Sequence, residues 1–148
     1  MADLTVTITE AVTLNNALRG STNQITTTSV VDVLERILTC AHSNTTTIAV
    51  FNSTPHGAAG ALDVENAKYV RVTNLDSSNA VELAVVGAAT LYQVKLAAGQ
   101  SHVLGSADDL MLSEADTSPR FGTMADLGSI QVNPGGNAVD VELFIASA

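Results

Sequence analysis

The chain has 148 residues, enough for one domain with a sizeable core, and a formal net charge of −9 from 15 acidic and 6 basic side chains. So few basic groups argue against binding phosphate backbones or anionic membranes, and we expect neither nucleic acid nor a membrane as a partner. Hydrophobic residues make up 46% of the chain, but Trp is absent and aromatic residues are only 3%, which predicts a core of Val, Leu, Ile and Ala.

Two further features set expectations about stability and location. Cys40 is the one cysteine, so no intramolecular disulfide can form, and we predict a buried, unreactive thiol. The first ten residues lack the basic and apolar regions of a signal peptide, and no apolar run approaches the roughly 20 residues that span a bilayer. We therefore expect a soluble protein made in a cytoplasm.

The first predicted strand begins near residue 4, where apolar and Thr residues alternate strictly. The alternation places Leu4, Val6 and Ile8 on one face, and Val12 and Leu14 can continue the strand. Asn15-Asn16 and residues 19–21 are typical of turns. The Thr-rich run over residues 23–29 is predicted to be extended.

Residues 29–41, SVVDVLERILTCA, fit two patterns. Ser29 and Asp32 resemble a helix capping box. Five apolar residues also have the spacing of an amphipathic helix, namely Val30, Val33, Leu34, Ile37 and Leu38. Alternating, mostly β-branched residues from Val31 to Thr39 favour a strand instead. We predict a strand, with one short helix as the alternative.

The clearest pattern lies between Lys68 and Val86. Two alternating runs, KYVRVT and VELAVV, flank the polar segment NLDSSN. Since Asn, Asp and Ser favour turns, this pattern predicts an antiparallel hairpin with a long loop. A strand over residues 46–51 and a loop over residues 55–60 precede it.

Four later segments also have strand patterns: residues 91–96, 101–104, 127–132 and 139–145. Residues 105–120 mix acidic and small side chains and are predicted to form an irregular arm. Strand signals at intervals of roughly 8 to 15 residues predict an all-β protein, a β-sandwich or jelly roll, with one domain spanning residues 1–148.

No residue pattern indicates catalysis or metal binding. The three histidines, His42, His56 and His102, lack the close spacing of a metal site. The acidic pairs at 108–109 and at 114 and 116 lack the glycine and terminal Glu of a calcium loop, so an exposed charged arm is expected. Phosphate-loop and nucleophile-elbow motifs are missing. We predict no catalytic residue, no metal and no cofactor, and hence no enzymatic activity.

Several segments together do resemble a known group of proteins: ADLTVTITEAVTLNN, RGST, KYVRVTNLDSSNAVEL, LYQVKLAAGQSHVL and VDVELFIAS. They resemble small β-rich virion structural proteins of tailed bacteriophages, including phages of cyanobacteria. The resemblance spans nearly the whole chain and implies a capsid decoration or cement protein. Such a protein would bind the major capsid protein on the virion surface, commonly as a homotrimer, after synthesis in the host cytoplasm.

Two alternative functions remain open. One is a tail-associated or head-fibre component. The other is a carbohydrate-binding β-sandwich, which is less favoured because such proteins usually expose aromatic side chains. The chain has only five aromatic residues, and most lie in predicted strands: Phe51, Tyr69, Tyr92, Phe121 and Phe144.

The segment from Met1 to Leu14 is the predicted contact with a partner shell. Its apolar face, formed by Leu4, Val6, Ile8, Val12 and Leu14, is suited to adding a strand to an exposed sheet edge. The alternative is that this segment is an inner strand of the sandwich.

Overall fold

The computed structural model describes residues 1–54, 57–88, 90–112 and 121–148, and these form thirteen strands and no helix. The strands are β1 (Ala2–Thr9), β2 (Val12–Leu14), β3 (Ala17–Arg19), β4 (Thr22–Val30), β5 (Asp32–Cys40), β6 (Thr46–Asn52), β7 (Leu62–Asp63), β8 (Ala67–Asn74), β9 (Val81–Gly87), β10 (Leu91–Leu96), β11 (Ser101–Leu104), β12 (Leu127–Asn133) and β13 (Val139–Ser147). The all-β prediction is confirmed. Within the described ranges, no helix could cross a membrane.

Two sheets pack face to face and form the body. One has the strand order β11-β8-β13-β5 and the other β10-β9-β12-β6-β7. From β5 onward the chain passes between the sheets at six of the eight connections between the described strands. The exceptions are β6 to the short β7, which are parallel, and β9 to β10, which are antiparallel. This alternation is the strand order of a jelly roll, so the predicted sandwich is confirmed.

The core between the sheets consists of small aliphatic side chains at alternate positions. β13 contributes four of them, Val139, Val141, Leu143 and Ile145, each at most 1% exposed. The facing sheet contributes Val81, Leu83, Val85, Ile130 and Val132. Without bulky rings the two inner faces interdigitate through many short branched side chains. The inward faces predicted for residues 127–132 and 139–145 are confirmed.

The predicted hairpin between Lys68 and Val86 is wrong, although both of its strands exist. β8 lies in one sheet and β9 in the other, so the polar segment between them crosses from sheet to sheet. A period of two determines which side chains point inward, but it does not determine which strand lies alongside. The two strands therefore face each other across the core.

Asn74, the last residue of β8, is the one buried polar side chain among the described residues. Its Nδ2 lies 2.8 Å from the carbonyl oxygen of Asn79 and 3.1 Å from those of Leu96 and Ala97. Its Oδ1 accepts a hydrogen bond from the backbone N–H of Asp76 at 3.0 Å. Because Leu96 ends β10, one amide joins two places where the chain crosses between the sheets.

Residues 32–40 are a strand, as predicted, and the alternative of a short helix is wrong. β5 pairs with β13 over its whole length, and Ser29, the expected helix cap, has a positive φ of 62°. Leu34 and Leu38 pack against the core, whereas Val33 and Ile37 lie on the opposite face. Apolar residues on both faces of one strand produced the helix-like spacing.

The other predicted strands are confirmed to within about two residues, as is usual for strand ends: residues 46–51, 91–96, 101–104 and 127–132. Of the predicted irregular arm, residues 105–112 form no strand beyond an isolated bridge between Met111 and Ala125. The remainder of the arm, residues 113–120, and residues 55–56 of the predicted loop lie outside the described residues.

We expect Asn74→Ala to lower the free energy of unfolding by about 3 kcal/mol, because several buried backbone groups would lose their hydrogen-bond partner. Urea unfolding measures this change. Asn137→Ala is the control: this exposed amide bonds the side chain of Asn79 at 3.1 Å, and its loss should change stability by less than about 0.5 kcal/mol. Equal effects of the two substitutions would contradict the role of Asn74.

Candidate functional site

The first 30 residues form a two-stranded ribbon that belongs to neither sheet. β1 pairs with β4, and β2 pairs with β3. The pairs Thr9↔Thr22 and Val12↔Arg19 leave equal numbers of residues on both strands between them, so the register continues from Leu4 to the tip. Asn15 and Asn16 close the ribbon with φ of 51° and 59°, as a two-residue type I′ turn requires.

Residues 19–21 lie within the ribbon and are not the turn that the sequence suggested. Gly20 has φ of +113°, and a Cβ at this position would lie 2.0 Å from the carbonyl oxygen of Glu10. Only glycine permits this close approach of the two strands.

The two faces of the ribbon differ in chemistry. One face carries every residue that the sequence nominated for partner contact, together with Ile25 opposite Val6. We call this set the apolar face: Leu4, Val6, Ile8, Val12, Leu14 and Ile25. The other face of β1 and β4 carries hydroxyl and amide groups, namely Thr5, Thr7, Thr9, Thr22, Gln24 and Thr26.

The base of the apolar face lies against the body of the same chain. Leu4 and Val6 are half-buried and line a shallow groove with Tyr69, Arg71 and Phe144 on the outer face of β8 and β13. The Tyr69 and Phe144 rings meet edge to face at 6.0 Å, and the Arg71 guanidinium lies 5.7 Å from the Phe144 ring centre. Arg71 also forms an ion pair with Glu142, which holds it in place.

Beyond its base the ribbon is open to solvent. Ile8 is 45% exposed, Val12 59%, Leu14 60% and Ile25 60%. An inner strand of the sandwich would be buried, so that alternative is wrong. The structure thus divides the five nominated residues into two that are half-buried against the body and three that are largely exposed on the ribbon.

Two exposed apolar residues of the ribbon were missed at the sequence level, Ile25 and Leu18, which is 74% exposed. Ile25 shares the apolar face, whereas Leu18 pairs with Thr13 on the opposite face. The Asn15-Asn16 turn is the sequence signal that could have indicated both residues. Counting the same number of residues away from this turn in each direction gives the pairs that lie opposite each other in the ribbon.

An acidic cluster lies at one end of the body. Carboxylate oxygens of Asp108, Asp109 and Asp126 lie within 4.8 Å of one another. Desolvation, then the hydrogen bond with Asp126, raises the pKa of Asp108 above its ordinary value. The sequence drew attention to the first two residues but not to Asp126. Its suggested companions, residues 114 and 116, lie outside the described ranges.

The histidines are dispersed, as their spacing indicated. His42 is in an exposed turn, and His56 lies outside the described residues. His102 lies in β11, where its Nε2 is 3.1 Å from the hydroxyl of Tyr92 in β10. Since β10 and β11 are edge strands of different sheets, this contact closes one side of the sandwich. Burial lowers the pKa of His102 and raises that of Tyr92.

Most aromatic side chains of the described residues are engaged within the chain. Phe51 is buried, and Tyr92 is held by His102. Tyr69 and Phe144 contact each other below the base of the ribbon. Phe121, at 85% exposure, is the one aromatic ring of the chain that is largely free.

Comparison with known proteins yields little. No protein-family model matches the chain, and no curated protein matches it. Among solved structures, a chain from Bacillus endospore appendages, described as a novel family of disulfide-linked pili, is similar with a TM-score of 0.49 and 11% identity. The match covers 80% of this chain and 85% of that one. A likeness this distant carries no argument about function or assembly.

Cys40 is fully buried, as predicted, and burial is the main cause that raises the pKa of its thiol. We expect a thiol-specific reagent to leave Cys40 unmodified in the native protein, because attack requires an accessible thiolate. Full modification should follow unfolding in urea. Rapid reaction of the native protein, measured by the release of the reagent's chromophore, would contradict this burial.

Lowering the pH should weaken the fold through His102. An unperturbed histidine titrates near 6.5, and the folded-state pKa of His102 is lower. Below 6.5 the unfolded chain therefore binds a proton that the folded chain resists, and stability is lost until the folded-state pKa is reached. We expect His102→Gln to reduce the fall in unfolding free energy between about pH 8 and pH 5. His42→Gln, in an exposed turn, should keep the wild-type pH profile.

Proposed function

We propose that the chain is a non-enzymatic structural protein of a virion: a decoration protein that binds the outer capsid surface as an oligomer and stabilises the shell. The observation that carries the proposal is that the apolar face of the ribbon is exposed to solvent beyond its base. The resemblance of the sequence to virion structural proteins of tailed phages supports the same function.

The ribbon is not needed to complete the jelly-roll core. The largest fully buried side chains all lie outside it, in residues 48–145. An isolated two-stranded ribbon is at best marginally stable in water. An ordered ribbon with apolar side chains on one face therefore supports a role in contacting another protein surface, where burial would stabilise it.

The charge of the body fits a position on the outside of a shell. With a formal net charge of −9, the protein is repelled by packaged nucleic acid and by anionic membranes. Its contacts with a partner would then rest on apolar burial and backbone hydrogen bonds. This is the chemistry that the ribbon offers.

A tail-associated or head-fibre component would use the same surfaces, and its position on the particle distinguishes it from a decoration protein. Carbohydrate binding is less favoured, because Phe121 alone among the aromatic side chains is largely free.

Purified protein mixed with undecorated phage heads is expected to sediment with them in a saturable amount and to raise the temperature at which the heads break open. Both results follow if the protein covers joints between capsid subunits. Sedimentation with quantitative gel analysis, together with thermal disruption of the heads, measures them.

The control for this experiment is competition by an excess of unlabelled protein, which separates a limited number of sites from non-specific adsorption. Heads that neither bind the protein saturably nor gain heat resistance would contradict the decoration function. Binding restricted to tails or to fibre attachment points would favour the tail or head-fibre alternative.

A further inference from the structure

A second uncovered aliphatic surface lies on β5. Val33 and Ile37 point away from the core and are 48% and 64% exposed. β5 pairs with β13 along one side, and no strand among the described residues pairs along its other side. Its nine residues include neither Lys nor Pro, which most effectively protect such an edge, although Asp32, Glu35 and Arg36 are charged. The edge is therefore open to a further strand.

The other edge strands of the two sheets are less suited to accepting a further strand. β11 has only four residues. β10 places Leu91, Gln93 and Lys95 on its outer face, and a lysine on an edge strand opposes the addition of another strand. β7 is two residues long. β5 is thus the longest open edge, and its outer face carries two exposed aliphatic side chains, Val33 and Ile37, on either side of Glu35.

The contact within the chain shows which surface fits the ribbon. Leu4 and Val6 pack on the outer face of β8 and β13, and β5 is the next strand of that same sheet. The apolar face continues past Ile8 without a cover in its own chain. The same sheet face continues onto β5, where Glu35 lies beside Phe144 and the uncovered Val33 and Ile37 lie on either side of Glu35.

Charge favours the ribbon as the element that joins copies. The first 30 residues contain two acidic side chains, Asp3 and Glu10, and one basic side chain, Arg19, which leaves −8 of the net charge of −9 on the rest of the chain. Two bodies in direct contact would repel each other strongly. A nearly neutral ribbon can approach an acidic body with little repulsion.

We propose that the free half of the ribbon, residues 8–25, docks on the outer face and open edge of β5 in a second copy of this chain. The contact is head-to-tail, because the ribbon of one copy meets a different surface on the next. This inference rests on the proposed function, since it names the contact that builds the decorating oligomer.

The size of the contact favours a closed ring over a simple pair. From Ile8 to the turn the ribbon is about 25 Å long and about 10 Å wide, so one junction buries roughly 500 Å² over both partners. A stable interface between two proteins needs about 1,200 Å². In a ring each copy donates one ribbon and receives one, and all junctions form together. One copy in a ring is therefore held by two junctions, roughly 1,000 Å² in all, against roughly 500 Å² in a pair joined by a single junction.

The test is the mass of the protein in solution, measured by light scattering. The wild-type chain is expected at about three times its monomer mass of 15.2 kDa. The double variant Val12→Asp/Leu14→Asp places charge on the apolar face and should shift the mass to that of the monomer. Ile37→Asp in β5 should have the same effect from the accepting side.

Each of these variants has a matched control. Thr13→Asp adds a charge between Val12 and Leu14 but on the opposite face. Val103→Asp adds one on the outer face of the same sheet, at the far edge, where the wild-type side chain is 44% exposed. Both controls should keep the oligomer. Thermal unfolding of all variants establishes that they are folded, since every altered side chain is exposed.

A wild-type monomer, or folded ribbon and β5 variants that keep the wild-type mass, would overturn the inference. If the wild type is a monomer and Val12→Asp/Leu14→Asp abolishes binding to phage heads, the ribbon contacts the shell, and the decoration function stands without the oligomer and without this inference. If the ribbon and β5 build the oligomer but the oligomer ignores heads, the inference stands and the proposed function fails.

Discussion

The carbonyl groups that surround the side chain of Asn74 come from two places where the chain leaves one sheet for the other. A jelly roll makes many such crossings, and backbone groups there lose the partners that a sheet would supply. A buried side-chain amide can supply these hydrogen-bond partners, because it both donates and accepts hydrogen bonds. The polar segment after β8 therefore turns the chain across the core. The inward faces of β8 and β9 can then pack against each other.

The sequence predicted the positions of the strands well but their pairing poorly, because the alternation of side chains reports only on neighbouring residues. Alternation is local, so nearly every strand of the body was placed to within a few residues. Pairing depends on the course of the connections. The segment between Lys68 and Val86 reads as a hairpin, yet the hairpin of the sandwich is the next pair, β9 and β10. In the ribbon the Asn15-Asn16 turn contained the missing information, because a two-residue loop determines the register on both sides.

The candidate site was predictable in part for the same reason. One strand of the apolar face could be read from alternation alone, but Ile25 becomes part of it only through pairing with β1. The groove that holds Leu4 and Val6 is formed by Tyr69 and Phe144, which are distant in sequence. Asp126 reaches the acidic pair at 108–109 through the bridge between Met111 and Ala125, which no sequence periodicity indicates.

Strand β5, whose residue spacing fits both a helix and a strand, also bears on assembly. A strand with one solvated face alternates apolar and polar residues, whereas a strand covered on both faces is apolar throughout. β5 has exposed Val33 and Ile37 on its outer face, alternating with Glu35 and Thr39, although only its inner face is covered within the chain. The ribbon likewise has one apolar face that its own chain covers only at the base. In the proposed assembly each copy would donate the ribbon and receive another ribbon on β5, so that both surfaces would be covered. A closed ring is the arrangement in which no copy keeps either surface exposed to water.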